Sequence, residues 1–187
     1  MSGILSGAYE LADPPCSLDA HTYIECGLEN GFSFQNALDH KPSYERLVGI
    51  EVCDRHYKTC SDKFANERRV ELHHGSTVDV LPRVIDPTVS TVWLIDSHYT
   101  GNHADAMSGK DGQCPLLKEL EIIASVRWNV RPTLLIHDAS MLVGTKFWDN
   151  APKDFKRNEW PDLIAILKAV EPLRLRWDVR RDFVWMW

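Results

Sequence analysis

No stretch of this 187-residue chain approaches the ~20 consecutive apolar residues that a membrane-spanning helix needs, so an anchor of that kind is not expected. Met1 to Tyr9 hold neither a basic cluster nor a long apolar run and do not read as a secretory signal. No C-x-x-C occurs among the five cysteines, Cys16, Cys26, Cys53, Cys60 and Cys114. An odd count without paired spacing argues against a disulfide framework and a thiolate zinc site, and it fits the reducing cytoplasm. Positive charge is short: 21 Lys and Arg stand against 27 Asp and Glu, a formal net charge of −6. Only Arg174, Arg176, Arg180 and Arg181 gather, and they read as the solvated side of a C-terminal hairpin. A nucleic-acid partner, which needs a basic face, is therefore disfavoured. Internal repeats and linkers are absent as well. The length suits one domain with one core, residues 1–187, in which residues 1–20 form an N-terminal arm.

What is present is a series of short apolar runs separated by helical patterns. His21 to Gly27, Leu47 to Cys53, Val70 to His73, Thr91 to Asp96 and Pro132 to Asp138 read as strands. The fourth is almost wholly apolar, as expected for a strand covered on both faces of a parallel sheet. Helical faces lie between them: Phe34, Ala37 and Leu38; Tyr57, Cys60 and Phe64 after a candidate cap at Asp54; Val80, Leu81 and Val84. Pro115 opens a strongly amphipathic helix with Leu116, Leu117, Leu120, Ile123 and Ala124 on one side. Pro161 opens another, with Leu163, Ile164, Leu167 and Val170 inward. The end reads as a hairpin: Leu173 to Val179, a turn at Arg180-Arg181, then Asp182 to Trp187. So tight a turn joins antiparallel strands only. Strands alternating with helices predict an α/β fold whose ligands bind at the carboxyl edge of the sheet.

The stretch Glu25-Cys26-Gly27-Leu28-Glu29-Asn30-Gly31 sits at that edge. A strand, a glycine turn and a helix start bring backbone N–H groups close to a nucleotide-like ligand. The spacing is not the G-x-G-x-x-G of dinucleotide folds. Glu51 ends the second strand, where an acid can accept from ribose hydroxyls. Asp96 and Asp138 end the fourth and fifth strands, with His98 and His137 beside them. Adjacent strands lie about 5 Å apart, so these side chains could converge. Successive strand residues face opposite ways, so His137 and Asp138 share one site only if the strand has already ended. The remaining histidines, His56 among them, read as surface or structural. Trp93, Trp177 and Trp185 read as core, and Trp148 and Trp160 as a satellite core under an irregular segment.

Beyond single residues, the chain resembles a group of class I S-adenosylmethionine (SAM)-dependent methyltransferase-like proteins. Their first strand ends E-T-G-T-x-x-G and their fourth L-D-A-H-Y-S-G. A C-P-L-L-x-E-L helix, an I-D-D-A strand end and a W-P helix start follow. The matching positions here are Glu25 to Gly31, Ile95-Asp96-Ser97-His98-Tyr99-Thr100-Gly101, Cys114 to Leu120, Ile136-His137-Asp138-Ala139 and Trp160-Pro161. They run in order from about Tyr23 to the end. Cys26 and Leu28 replace threonines of the first motif, and His137 replaces the first acid of the fifth-strand pair.

The resemblance implies a Rossmann-like doubly wound sheet of seven strands in the order 3-2-1-4-5-7-6 with a C-terminal antiparallel hairpin. It implies SAM as cofactor, with Gly27 and Gly31 approached closely, Glu25 at the amino acid end, Glu51 at the ribose, and Gly75 and Ser76 beside the adenine. Asp96 belongs both to this set and to the catalytic one, Asp96, His98 and Asp138. There, either His98 acts as general base oriented by Asp96, or Asp96, Asp138 and a histidine hold a divalent cation. The cation is not favoured, because His137 stands where a second acid would be. The expected function is methyl transfer to a small-molecule acceptor whose pocket comes from residues 1–20, 97–113 and 141–159. The alternatives are a non-catalytic SAM- or nucleotide-binding module and a SAM-using enzyme that transfers no methyl. The acceptor, the metal requirement and the oligomeric state are not specified.

Overall fold

A computed structural model describes residues 14–40, 43–99, 110–144 and 146–187. Seven strands form one sheet in the order β3-β2-β1-β4-β5-β7-β6. They are β1 (Thr22–Cys26), β2 (Arg46–Glu51), β3 (Val70–His74), β4 (Thr91–Ile95), β5 (Thr133–His137), β6 (Trp177–Arg180) and β7 (Phe183–Met186). The first five are parallel, and β7 runs antiparallel to both β5 and β6. The order expected from the resemblance and the terminal hairpin are both present. The helices are α1 (Phe32–His40), α2 (Asp54–Phe64), α3 (Thr77–Val84), α4 (Leu116–Ser125), α5 (Ala139–Val143), α6 (Lys146–Asp149) and α7 (Leu163–Val170).

Strand alternation divides the core. Ile24, Val48, Ile50, Trp93, Ile95, Leu134 and Ile136 pack on one face against residues of α3, α4 and α7. Tyr23, Leu47, Val92, Leu94 and Leu135 pack on the other against residues of α1 and α2. Both faces of the central strands are covered, which is why β4 and β5 read as nearly continuous apolar runs, whereas the edge strand β3 is only partly buried and mixed in sequence. The carboxyl ends are level: Cys26 pairs with Ile50 and with Ile95, and Ile95 pairs with Ile136. The chain leaves β1 toward α1 on one face and β4 toward α4 on the other, so a crevice opens between the two strand ends.

Three local readings change. Ile164 is 64% exposed and Ile166 is fully buried instead. The helix starts at Leu163, after Asp162 caps it by accepting from the Ala165 N–H at 2.8 Å, and that start sets which residues face in. Trp177 is 49% exposed, because β6 is the edge strand of the sheet. Cys53, not Asp54, occupies the cap position of α2, without a side-chain cap bond. The segment expected to be irregular carries α6 and a 3-10 turn at Arg157–Glu159. Among the described residues, no helix is long and apolar enough to cross a membrane.

Candidate functional site

A cavity of about 270 Å³ occupies the crevice. Its floor is the turn after β1. Gly27 has φ +85°, and a Cβ there would run into the Asp96 carbonyl and come within 2.9 Å of the Ser97 Cα. Glycine is needed because the two strand ends are packed together as well as because of the backbone angle. Gly27 lines the cavity. Gly31 (φ +67°) does not: a Cβ there would meet Cys60 Sγ and the Phe64 ring at 3.0 Å, so it serves the packing of α2 on the turn. The two substituted motif positions also face inward. Cys26 is fully buried, and Leu28 lies against Gly49, where an added Cβ would approach its side chain to 2.8 Å.

Glu51 ties this turn to β2. Its Oε2 accepts the Leu28 and Glu29 N–H groups at 3.0 and 2.9 Å, and its Oε1 accepts the Cys53 N–H at 2.8 Å. The carboxylate lines the cavity at the position expected for a ribose-binding acid. Glu25 differs. It is one residue short of the strand end, on the Tyr23 face, and alternation turns it under α1. The Tyr23 hydroxyl donates to it at 2.6 Å and the Ser33 hydroxyl donates to its other oxygen. It is fully buried and does not line the cavity; Ser33, which does, donates to it. Burial pushes its carboxyl up to about 8, against the pull of the two hydroxyls and with the help of the Asp96 and Glu51 charges.

Gly75, Ser76 and Thr77 line the far wall. Ser76 sits at the cap position of α3 but makes no cap bond. It donates to Asp111 at 2.5 Å, and Lys118 reaches the same carboxylate at 3.0 Å. Behind them, Glu119 of α4 is fully buried and accepts from the Thr77 hydroxyl and, at 2.5 Å, from the Ser97 hydroxyl. Burial raises its carboxyl pKa, and the two hydroxyls oppose the shift.

A quartet of side chains lines the cavity at the ends of β4 and β5. Asp96 and His98 follow β4; His137 ends β5 and Asp138 follows it. His98 Nε2 lies 3.0 Å from Asp96 Oδ1 and 3.3 Å from Asp138 Oδ2. His137 Nδ1 lies 3.3 Å from Asp96 Oδ1 and 3.3 Å from Asp138 Oδ1. His137 and Asp138 share the site because the strand does end there: Asp138 takes φ 55°, ψ 45°, a left-handed turn that cancels the alternation. Burial would raise the Asp96 carboxyl, but the His137 hydrogen bond and the His98 imidazole at ion-pair distance hold it well below the usual carboxylate range. Burial would lower the His98 imidazole, but Asp96 and Asp138 push it up to about 9. Trp160 backs the site with its ring 4.9 Å from His98, within a cluster of Phe147, Trp148 and Phe155. Trp160 belongs to the main core of the α3, α4 and α7 face, with Trp148 packed against it, so the satellite core expected of the pair is instead part of that core.

His56, read as surface or structural, is buried at the cavity wall, and Tyr99 and Asp111, within the segment 97–113 expected to build the pocket, line it. Glu119, which no site reading included, carried a signal, an acid on the apolar face of an amphipathic helix. Residues 1–13 and 100–109, parts of the segments expected to build the acceptor pocket, lie outside the described residues.

No protein-family model matches the chain, and no curated protein does. Solved structures match over most of it. The SAH-bound methyltransferase of Podospora anserina superposes with a TM-score of 0.55 and 12% identity, over 89% of this chain and 70% of its own. A precorrin-6y C5,15-methyltransferase of Geobacter metallireducens gives 0.53 and 11%, over 90% and 77%. A SAM-dependent methyltransferase of Aquifex aeolicus gives 0.51 and 14%, over 89% and 80%. At these identities the likeness is one of fold, and the chain has the class I SAM-dependent methyltransferase-like fold.

Proposed function

We propose that this chain is a cytoplasmic SAM-dependent methyltransferase acting on a small-molecule acceptor. The observation that carries the reading is a single cavity with two chemically different ends. At one end are the Gly27 turn, Glu51 and the Ser76–Asp111 pair; at the other are Asp96, His98 and Asp138. The first end fits the cofactor. Glu51 offers carboxylate oxygens at the cavity wall for a diol, and Ser76 with Asp111 offers acceptors for an amino group on a base. Five free cysteines suit the cytoplasmic assignment.

When bound, SAM supplies a methyl carbon already activated by its sulfonium leaving group. The chain then needs to hold the acceptor in line, exclude water and receive the acceptor's proton. Asp96, His98 and Asp138 stand where an acceptor entering from the open side meets the cofactor end. The wall beside them is held by Gln113. Its N–H donates to Glu159 at 2.7 Å, its side-chain amide donates to the Asp154 carbonyl at 2.7 Å, and its Oε1 accepts from the Lys156 N–H at 2.8 Å.

Calorimetric titration with SAM and S-adenosylhomocysteine tests the reading. Both should bind; Glu51→Ala should abolish binding while His98→Ala retains it, with circular dichroism to show that each variant is folded. If neither ligand binds the wild type at millimolar concentration, the enzyme reading fails. If both bind and no panel of hydroxyl, amine or carbon acceptors is methylated, a non-catalytic binding module takes its place.

A further inference from the structure

In-line transfer needs at most one proton acceptor, yet two imidazoles and two carboxylates meet at the acceptor end. We infer that Asp96, His98, His137 and Asp138 form a binding site for a borderline divalent ion of the Zn²⁺ or Co²⁺ kind, and not for Mg²⁺ or Ca²⁺. The inference stands on the quartet's geometry and is independent of the cofactor reading.

Among the described residues, this is a group in which four side chains each bring one ligand atom within 4.8 Å of the others. Four ligands about 2.1 Å from a tetrahedral ion stand about 3.4 Å apart along the edges of the tetrahedron. The nitrogen–oxygen separations here are 3.0, 3.3, 3.3 and 3.3 Å. With both Asp138 oxygens engaged, these are the shortest separations in a group whose ligand atoms lie within 4.8 Å of one another, a spread that a bound ion would draw together.

His98 supplies the independent observation. Its side chain is only 9% exposed, and Nε2 sits between Asp96 and Asp138. Yet neither ring nitrogen makes an aligned hydrogen bond. A buried polar atom left that way is costly, and such atoms are rare. An ion between the carboxylates would take up the Nε2 lone pair. The carboxylates of Asp96 and Asp138, 18% and 27% exposed, leave the cavity side open as an entry path.

The donor set selects the ion. Mg²⁺ and Ca²⁺ take oxygen ligands almost exclusively, whereas imidazole suits zinc and the later first-row metals. With two nitrogens in four donors, a hard ion would give up half its preferred ligands. Two carboxylates also match the charge of one divalent ion while both imidazoles are neutral ligands. His137, which replaces the first acid of the fifth-strand pair, is thus the residue that shifts the site from hard to borderline.

The test uses the tag-free chain, stripped with a chelator and free of SAM, titrated with Co²⁺ and followed in the visible spectrum. One Co²⁺ per chain should bind with the ligand-field bands of a nitrogen–oxygen site and no thiolate charge-transfer band. Zn²⁺ should displace it and excess Mg²⁺ should not. His98→Ala and Asp138→Asn should each weaken Co²⁺ binding by on the order of 100-fold. Metal-free circular dichroism reports whether each variant folds, and His137→Gln replaces either one that does not. Sub-stoichiometric binding, a thiolate band, equal competition by Mg²⁺ or unchanged affinity in folded variants each overturns the inference. SAM titration of the metal-free wild type is read separately, so failure of the metal site and failure of the cofactor reading are distinguishable.

Discussion

Glu25 is held by two hydroxyls inside a packed layer, and at neutral pH it keeps its proton. Its folded pKa of about 8 lies above the ordinary 4.5. Between those values the folded chain binds a proton that the unfolded chain has released. The Glu25 contribution to stability is therefore full below about 4.5, falls as pH rises through the window, and is lost above about 8. The loss is on the order of 5 kcal/mol. Glu25→Gln removes the titration. Denaturant unfolding at pH 5 and pH 8 should show a smaller pH-dependent loss in the variant than in the wild type; equal losses would mean that Glu25 is charged when folded. A carboxyl that is neutral and enclosed positions Ser33 at the cavity wall and does not itself offer a charge to a ligand.

At the scale of elements, the cavity-lining segment 110–115 is held to the distant segment 154–159 through Gln113. The Tyr99 hydroxyl adds a bond to Asp154 at 2.8 Å. The buried Gln113 amide satisfies two backbone groups of the second segment. Gln113→Ala leaves those groups unpaired, which costs about 1–3 kcal/mol. Asp111 of the first segment bonds Ser76 at the proposed cofactor end, whereas Gln113 itself does not line the cavity. The expected kinetic signature is a raised KM for the acceptor with SAM affinity unchanged, measured by steady-state assay and by calorimetry. A parallel loss of SAM affinity would show that the wall and the cofactor end are one cooperative unit.

At the scale of the whole molecule, a ligand that binds the crevice only when β1, β2 and β4 are aligned stabilises the entire sheet. SAM at about 100 times its dissociation constant should add about 2.7 kcal/mol to unfolding. A thermal shift that grows with the logarithm of ligand concentration checks this, and its absence in Glu51→Ala locates the site. Much of this architecture was legible in the chain itself. Uninterrupted apolar runs bounded by glycines and acids determine parallel strands, because a strand covered on both faces has no polar side to show. The ordered motifs determine the sheet order by resemblance. Ile164 and Trp177 were misjudged because a helix's facing depends on where its cap falls and an edge strand's on what packs outside it. The site separates the two kinds of information most clearly. That acids end the strands is written in the sequence. That Glu25 turns inward, and that His137 and Asp138 turn together toward Asp96 and His98, is decided by strand parity and by one left-handed residue. Such choices are made by contacts between residues tens of positions apart.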